Sequence, residues 1–259
     1  MIRVSLVIPT QRRPEGLRTA ARSLFRQVGV ELADLELVVV DNDQVPSAKA
    51  VVDDLATETA IPVIYVHEPA AGVANARNAA LKVARGSFIA FLDDDEEAPA
   101  TWLAAMIGAQ VALGADVVFG PVRGRAPPEI QAHRSYLEWF FSRRGPAQQT
   151  LLEDYYGCGC SYLKRSALPD PHAPFSAIRN HIGGEDDLLF GQMKVAGARF
   201  GWAPDAWVWE DPVPSRLSLD YTRTFGRSVT SPAKEQHTYL TGVSSQPGHG
   251  PGTSPGAAP

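Results

Sequence analysis

Three consecutive carboxylates, Asp93-Asp94-Asp95, close a short apolar segment of this chain. Acids that close repel one another, and a hard divalent cation would offset the repulsion. Mg²⁺ or Mn²⁺ prefers oxygen ligands, and Mg²⁺ typically takes one or two carboxylates from protein, leaving room for phosphate oxygens and water. The plainer alternative is a solvated acidic turn in which Asp94 or Asp95 caps the next helix. A second acidic group, Glu185-Asp186-Asp187, follows Gly183-Gly184. Paired glycines permit close backbone approach, and an acid aimed into a crevice can serve as a general base. Acids at a helix N-terminus also simply favour the macrodipole. The third group is Arg77-Asn78, within Gly72-Val-Ala-Asn-Ala-Arg-Asn-Ala-Ala. An arginine beside a phosphate site makes bidentate contacts, or else a salt bridge on a helix surface.

The elements that would position these groups alternate in type. Val4–Ile8, Leu35–Val40, Pro62–Val66, Ser87–Leu92 and Asp116–Val122 read as strands, the first two as buried apolar runs. Helices are predicted between them: one opened by Pro14 with Leu17, Ala21, Leu24 and Phe25 on its apolar face, then Ser47–Thr57, Gly72–Ala84 with Gly86 as its C-cap, and Pro99–Leu113. Such alternation implies a mostly parallel sheet covered on both faces, with ligands beyond the carboxyl ends of its strands. Thr10, Asp41, Asp43 and Asp93–Asp95 all fall at such ends.

After Pro127 the pattern changes. Glu129–Arg144 is amphipathic, with Tyr136, Trp139, Phe140 and Phe141 ahead of Arg143 and Arg144. It reads as a core-packing helix or, alternatively, as a peripheral contact with a membrane surface. Short strands near Gly157–Leu163, a helix at Glu185–Ala196 stopped by Gly197, one or two strands in Phe200–Trp209 and a last helix at Arg216–Arg227 follow. Nine of the 18 residues from Gly242 to Pro259 are Gly or Pro, which predicts a disordered tail.

Bulk properties exclude several classes. Hydrophobic residues form 44% of the 259, enough for a substantial core, and a net charge of −5 argues against a nucleic-acid partner. The two cysteines, Cys158 and Cys160, are too few for a disulfide scaffold and read as reduced thiols. Neither a signal-peptide layout nor a membrane-length apolar run is present, so a cytoplasmic location, at most at the inner face of a membrane, is expected.

Taken in order, Val4-Ser-Leu-Val-Ile-Pro-Thr10, Val38-Val-Val-Asp41-Asn-Asp43, Gly72 to Asn78, Ala84-Arg-Gly-Ser-Phe-Ile-Ala-Phe-Leu-Asp93-Asp-Asp95 and Gly184-Glu-Asp186 resemble the family 2 glycosyltransferases of GT-A fold, over residues 2 to about 228. The resemblance implies an α/β, Rossmann-like domain over 1–241, with a nucleotide-sugar-binding part (1–125) and an acceptor and catalytic part (126–241). It implies a nucleotide diphosphate-sugar donor, UDP-sugars favoured, and a glycan, lipid-linked or small-molecule hydroxyl acceptor. It implies inverting transfer dependent on Mn²⁺ or Mg²⁺. Thr10, Asp41, Asp43, Arg77, Asp93 and Asp94 would lie near the nucleotide. Asp95 would ligate the metal with Asp93 beside it, and Asp186 would be the catalytic base, with Glu185 the competing assignment. Two departures stand out. Cys158-Gly159-Cys160 replaces a Thr-Gly-Asn segment, and Glu210, followed by Asp211, stands where relatives carry a histidine, as a cation ligand or as part of a loop. A nucleotidyltransferase would need a glycine-rich loop after the first strand, and Pro9–Gly16 has one glycine. A non-catalytic sugar-nucleotide or glycan-binding module is the third reading.

Overall fold

The structure, a computed structural model, describes residues 3–181 and 183–228. In chain order its elements are β1 (Val4–Thr10), α1 (Pro14–Phe25), β2 (Leu35–Asp41), α2 (Lys49–Ala56), β3 (Val63–His67), α3 (Val73–Val83), β4 (Phe88–Phe91), β5 (Glu96–Glu97) and α4 (Trp102–Leu113). Then come β6 (Val117–Phe119), β7 (Val122–Gly124), α5 (Arg134–Phe140), β8 (Thr150–Leu152), β9 (Ser161–Lys164), α6 (Glu185–Val195), β10 (Phe200–Trp202), β11 (Val208–Glu210) and α7 (Leu219–Ser228).

Eight strands form one sheet in the order β3-β2-β1-β4-β9-β6-β10-β8, with β9 and β8 antiparallel to their neighbours and the remaining pairs parallel. Side chains alternate across the central strands, as strand geometry dictates. Leu6, Ile8, Leu37 and Val39 pack under α1, α2 and α4, while Val7, Val38, Val40 and Phe91 face α3 and α6. Each face therefore has its own core, and the unbroken apolar runs follow from burial on both sides. Pro14 sits in the first turn of α1, and Gly197, at φ +87°, ends α6 as expected.

Three expectations are corrected. The strand predicted over Asp116–Val122 is two strands in different sheets: β6 belongs to the large sheet, while β7 joins β11 and β5 in a three-stranded one. The break falls at Gly120-Pro121, where the chain passes so close to Ala206 that an added Cβ would lie 1.9 Å from its carbonyl oxygen. Gly86 does not cap α3, which ends at Val83; it instead lets the backbone pass Ser5, whose amide nitrogen would be 2.5 Å from a Cβ. The amphipathic stretch Glu129–Arg144 is helical only over Arg134–Phe140, with Leu137 and Phe140 buried. The glycine- and proline-rich segment 242–259 lies outside the described residues.

The small sheet matters because its pairing sets Glu210 opposite Glu96, at the edge of the crevice formed by the large sheet. Gly120→Ala is expected to lower stability by about 1–3 kcal/mol, as overpacking at a rigid backbone contact does. Urea unfolding checks this, and an unchanged midpoint would mean that the crossing is not fixed by the contact with Ala206.

Candidate active site

At the carboxyl ends of β1 and β4 lies a cavity of about 290 Å³ whose wall includes Thr10, Asn42, Arg77, Asp93, Asp95 and Arg216. The three consecutive aspartates diverge in role. Asp94 turns toward the β1–α1 loop. It accepts from Thr10 Oγ1 at 2.7 Å and pairs with Arg13 at 2.9 Å. Burial dominates its electrostatics and pushes its carboxyl up to about 6, against the pull of Arg13 and Thr10. Asp95 also pairs with Arg13, at 2.6 Å, and more distantly with Arg216, at 3.9 Å. Asp93 keeps 35% of its side chain exposed and lies 3.7 Å from Arg77. Desolvation raises its carboxyl first, and Asp95 and Asp186 add to the effect while Arg77 opposes it.

Arg77, which lines the cavity, meets Glu185 at the start of α6. Arg77 is buried and donates to Glu185 Oε1 at 2.7 Å, across 108 residues of sequence. Desolvation works against its charge, but the carboxylates of Asp93, Asp186 and Glu185 outweigh it and hold the guanidinium firmly protonated. Among the described residues its Nε has no hydrogen-bond partner. Arg77 therefore lines the crevice but does not reach out of it as an open phosphate arm. Asn78 exchanges two hydrogen bonds with the backbone of Phe175 and ties α3 to the chain ahead of α6. Glu185 is buried and ion-paired. Asp186 is half-buried, and its Oδ2 accepts the Cys158 amide at 3.1 Å.

Asp41 and Asp43 sit behind the wall. Asp41 is fully buried and accepts from the Ser47 amide and hydroxyl, the Ala48 amide and the Tyr65 hydroxyl. Asp43 forms a two-pronged pair with Arg12 at 2.6 and 2.7 Å. The residue between them, Asn42, lines the cavity and braces its rim through the Glu68 and Ala70 carbonyls and the Gly72 amide.

The family model for glycosyl transferase family 2 matches residues 5–170. The chain belongs to that family. Succinoglycan biosynthesis protein ExoM of Rhizobium meliloti is 35% identical over 226 residues, covering 84% of this chain and 70% of ExoM. S. aureus TarS, solved with UDP, superposes with TM-score 0.61 at 17% identity, covering 93% of this chain and 79% of the TarS chain. A mannosyltransferase from Pyrobaculum calidifontis, solved with GDP-Man and Mn²⁺, superposes with TM-score 0.59 at 22% identity, covering 83% and 58% respectively. The fold is that of the GT-A glycosyltransferases, and this family 2 member is a glycosyltransferase.

The position where a histidine was expected carries a carboxylate with unusual electrostatics. Glu210 is pushed up to about 8, by burial first and then by Asp95 and Asp93, with Arg143 and Arg216 opposing. Its cross-strand partner Glu96 is held well above the ordinary range by burial and by Asp93. Like charges directly opposite each other in a sheet are destabilising, and protonation relieves them. Among the described residues, no three His, Cys, Asp or Glu side chains are grouped closely enough to hold a metal alone. Asp93 and Asp95, both on the cavity wall, offer oxygen donors only, the chemistry of a hard cation completed by ligand oxygens and water.

Sequence reasoning passed over Arg13, Arg216, Asn42 and Glu96. Arg13 stands in the charged loop Gln11-Arg12-Arg13 directly after β1, so its position held a usable signal. Arg216 and Glu96 reach the site only through the small sheet and the turn that follows it. Because the folded Glu210 binds its proton more tightly than an unfolded glutamate, its contribution to stability is full below about pH 4 and is lost as pH rises toward about 8. In chelator-treated protein, Glu210→Gln should flatten the decline of Tm across that window. An unchanged pH profile of Tm would show that the Glu210 carboxyl is not held up by its neighbours.

Proposed function

We propose that this glycosyltransferase moves a sugar from a nucleoside diphosphate-sugar to an acceptor hydroxyl with inversion, using Asp186 as the base. The observation that carries the reading is the division of labour in the acidic pair of α6. Glu185 is buried against Arg77, whereas Asp186 stays half-buried and, among the described residues, carries no counter-arginine, its Oδ2 accepting the Cys158 amide and its Oδ1 the Asp187 amide. Geometry of that kind leaves a carboxylate able to accept a proton from a bound hydroxyl. As the acceptor oxygen bonds to the anomeric carbon, its proton passes to Asp186, and the bond to the diphosphate breaks with its electrons on the leaving phosphate.

The donor would lie in the crevice between Thr10 and Asp93, with residues 1–125 holding it and 126–241 serving the acceptor and the chemistry. Thr10 would meet the nucleoside directly. Asp41 and Asp43 would serve it by shaping the wall, and Arg77 would act from the crevice floor. Asp95, with Asp93 beside it and Glu210 opposite, would hold Mn²⁺ or Mg²⁺. The bound cation would supply charge neutralisation for the departing diphosphate. TarS was solved with UDP and the Pyrobaculum enzyme with GDP-Man, so both uracil and guanine donors are in range, the uridine donor favoured. The name of ExoM supports a place in polysaccharide synthesis. We place that work in the cytoplasm, at the inner membrane face where the acceptor is lipid-linked.

Calorimetry with UDP, GDP and their hexose conjugates, with Mn²⁺ and then with a chelator, tests the donor site. Tight, Mn²⁺-dependent binding of one nucleotide is expected, and Asp95→Ala should abolish the Mn²⁺ dependence. No binding by folded protein would favour a non-catalytic module. Asp186→Asn should lower turnover about a hundredfold or more while leaving nucleotide binding intact. Wild-type turnover in that variant would remove the base assignment. Release of nucleoside diphosphate, and not pyrophosphate, separates glycosyl from nucleotidyl transfer.

A further inference from the structure

Arg143, expected at the sequence level as a helix-end or membrane-facing charge, points inward and binds four backbone carbonyls. Its Nε donates to Gly120 at 2.9 Å, Nη1 to Gly157 at 2.9 Å, and Nη2 to Gly159 at 2.7 Å and Cys160 at 3.0 Å. Two of these carbonyls belong to peptide groups whose opposite ends face the active-site acids. The peptide joining Gly157 to Cys158 accepts from Arg143 and donates its N–H to Asp186 Oδ2 at 3.1 Å. The peptide joining Gly159 to Cys160 accepts from Arg143 and donates its N–H to Glu96 Oε2 at 3.2 Å. Glu96 Oε2 in turn accepts the Asp93 amide at 2.9 Å. Between the two peptides, Gly159 passes so near Asp93 that a Cβ there would lie 2.6 Å from its Oδ2.

We infer that Arg143 is a positioning residue for the transfer reaction: through these two peptide groups it orients Asp186 and fixes the backbone beside Asp93. The inference rests on the reading of Asp186 as base. Hydrogen bonds in series polarise one another, so a guanidinium on the carbonyl end strengthens the donor at the amide end. A guanidinium is suited to the task because its planar fork reaches several oxygens at once, which an ammonium cannot do. The loop in question is Cys158-Gly159-Cys160, the segment that departs from the family's Thr-Gly-Asn. Here its contribution comes from backbone amides, while both thiols stay buried and free. Burial pushes each thiol up to about 12, which keeps them neutral beside the acids.

The test uses Mn²⁺ with UDP-glucose and with GDP-mannose, reading nucleoside diphosphate release with water as acceptor. Arg143→Lys and Arg143→Ala are expected to lower kcat about tenfold to a hundredfold, the range that small misplacement of a reacting group produces, with donor KM unchanged. Added guanidinium should restore part of the turnover of Arg143→Ala. In parallel, the amide proton resonances of Cys158 and Cys160 should move upfield in Arg143→Lys, a readout that needs no turnover and survives if the alanine variant does not fold. Unchanged amide shifts, unchanged kcat, or a rise in KM alone would overturn the inference. Asp186→Asn run alongside separates the two readings. If it retains turnover, the base assignment fails, and the amide shifts still decide whether Arg143 orients that carboxylate.

Discussion

Like charge confined at the end of a buried sheet is the constraint on which this structure depends. Asp93, Asp94, Asp95, Glu96, Asp186 and Glu210 all converge on the carboxyl edge of β4 and the small sheet beside it. Left uncompensated, that crowding would oppose folding, because buried carboxylates cost far more than exposed ones. Arginines from distant parts of the chain answer it. Arg13 comes from the first loop, Arg77 from α3, Arg143 from the turn after α5 and Arg216 from the turn after β11. Each one couples elements that sequence does not connect, so charge balance and crevice geometry are set together.

That arrangement also explains why the acids differ so much in character. Asp94 is committed to Thr10 and Arg13 and holds the loop after β1. Glu185 neutralises Arg77. Glu96 accepts two backbone amides and acts as a rivet between the Asp93 turn and the Cys158–Cys160 loop. Burial raises the carboxyls of Asp93 and Glu210, Asp95 is ion-paired with Arg13, and Asp186 is held by the amides of Cys158 and Asp187. The transfer proposed above, with a diphosphate on one side and a hydroxyl on the other, would draw on this separation of roles. Family 2 membership and the GT-A fold supply the frame for it.

The small sheet brings in the part of the site that varies from the family pattern. At Gly120-Pro121 the chain leaves the large sheet, and β7 then guides β11 into place. Glu210 at the end of β11 consequently faces Glu96 and the Asp93–Asp95 turn. The group standing there is thus a carboxylate and not an imidazole. The same geometry pushes the Glu210 proton into the neutral range, so its charge state answers to what else occupies the crevice.

By itself, the sequence determined the alternating helices and strands, the buried parallel core and the placing of acids at strand ends. These follow from local periodicity and from the rule that a strand buried on both faces must be apolar throughout. The family was legible for the same reason, since its motifs lie at fixed positions relative to those elements. Only tertiary structure decided which acid pairs with which base. Arg77 and Glu185 are 108 residues apart, and nothing in their local surroundings distinguishes a surface arginine from a buried counterion. Arg143 looked like the charged end of a helix or a membrane-facing charge because its partners are backbone carbonyls, which carry no sequence signature. Gly86 looked like a helix cap because a glycine needed for close packing and one needed for positive φ are the same letter. Periodicity records what each element does to its own neighbours; the charges of this active site are neutralised across elements, and that information exists only once the chain has folded.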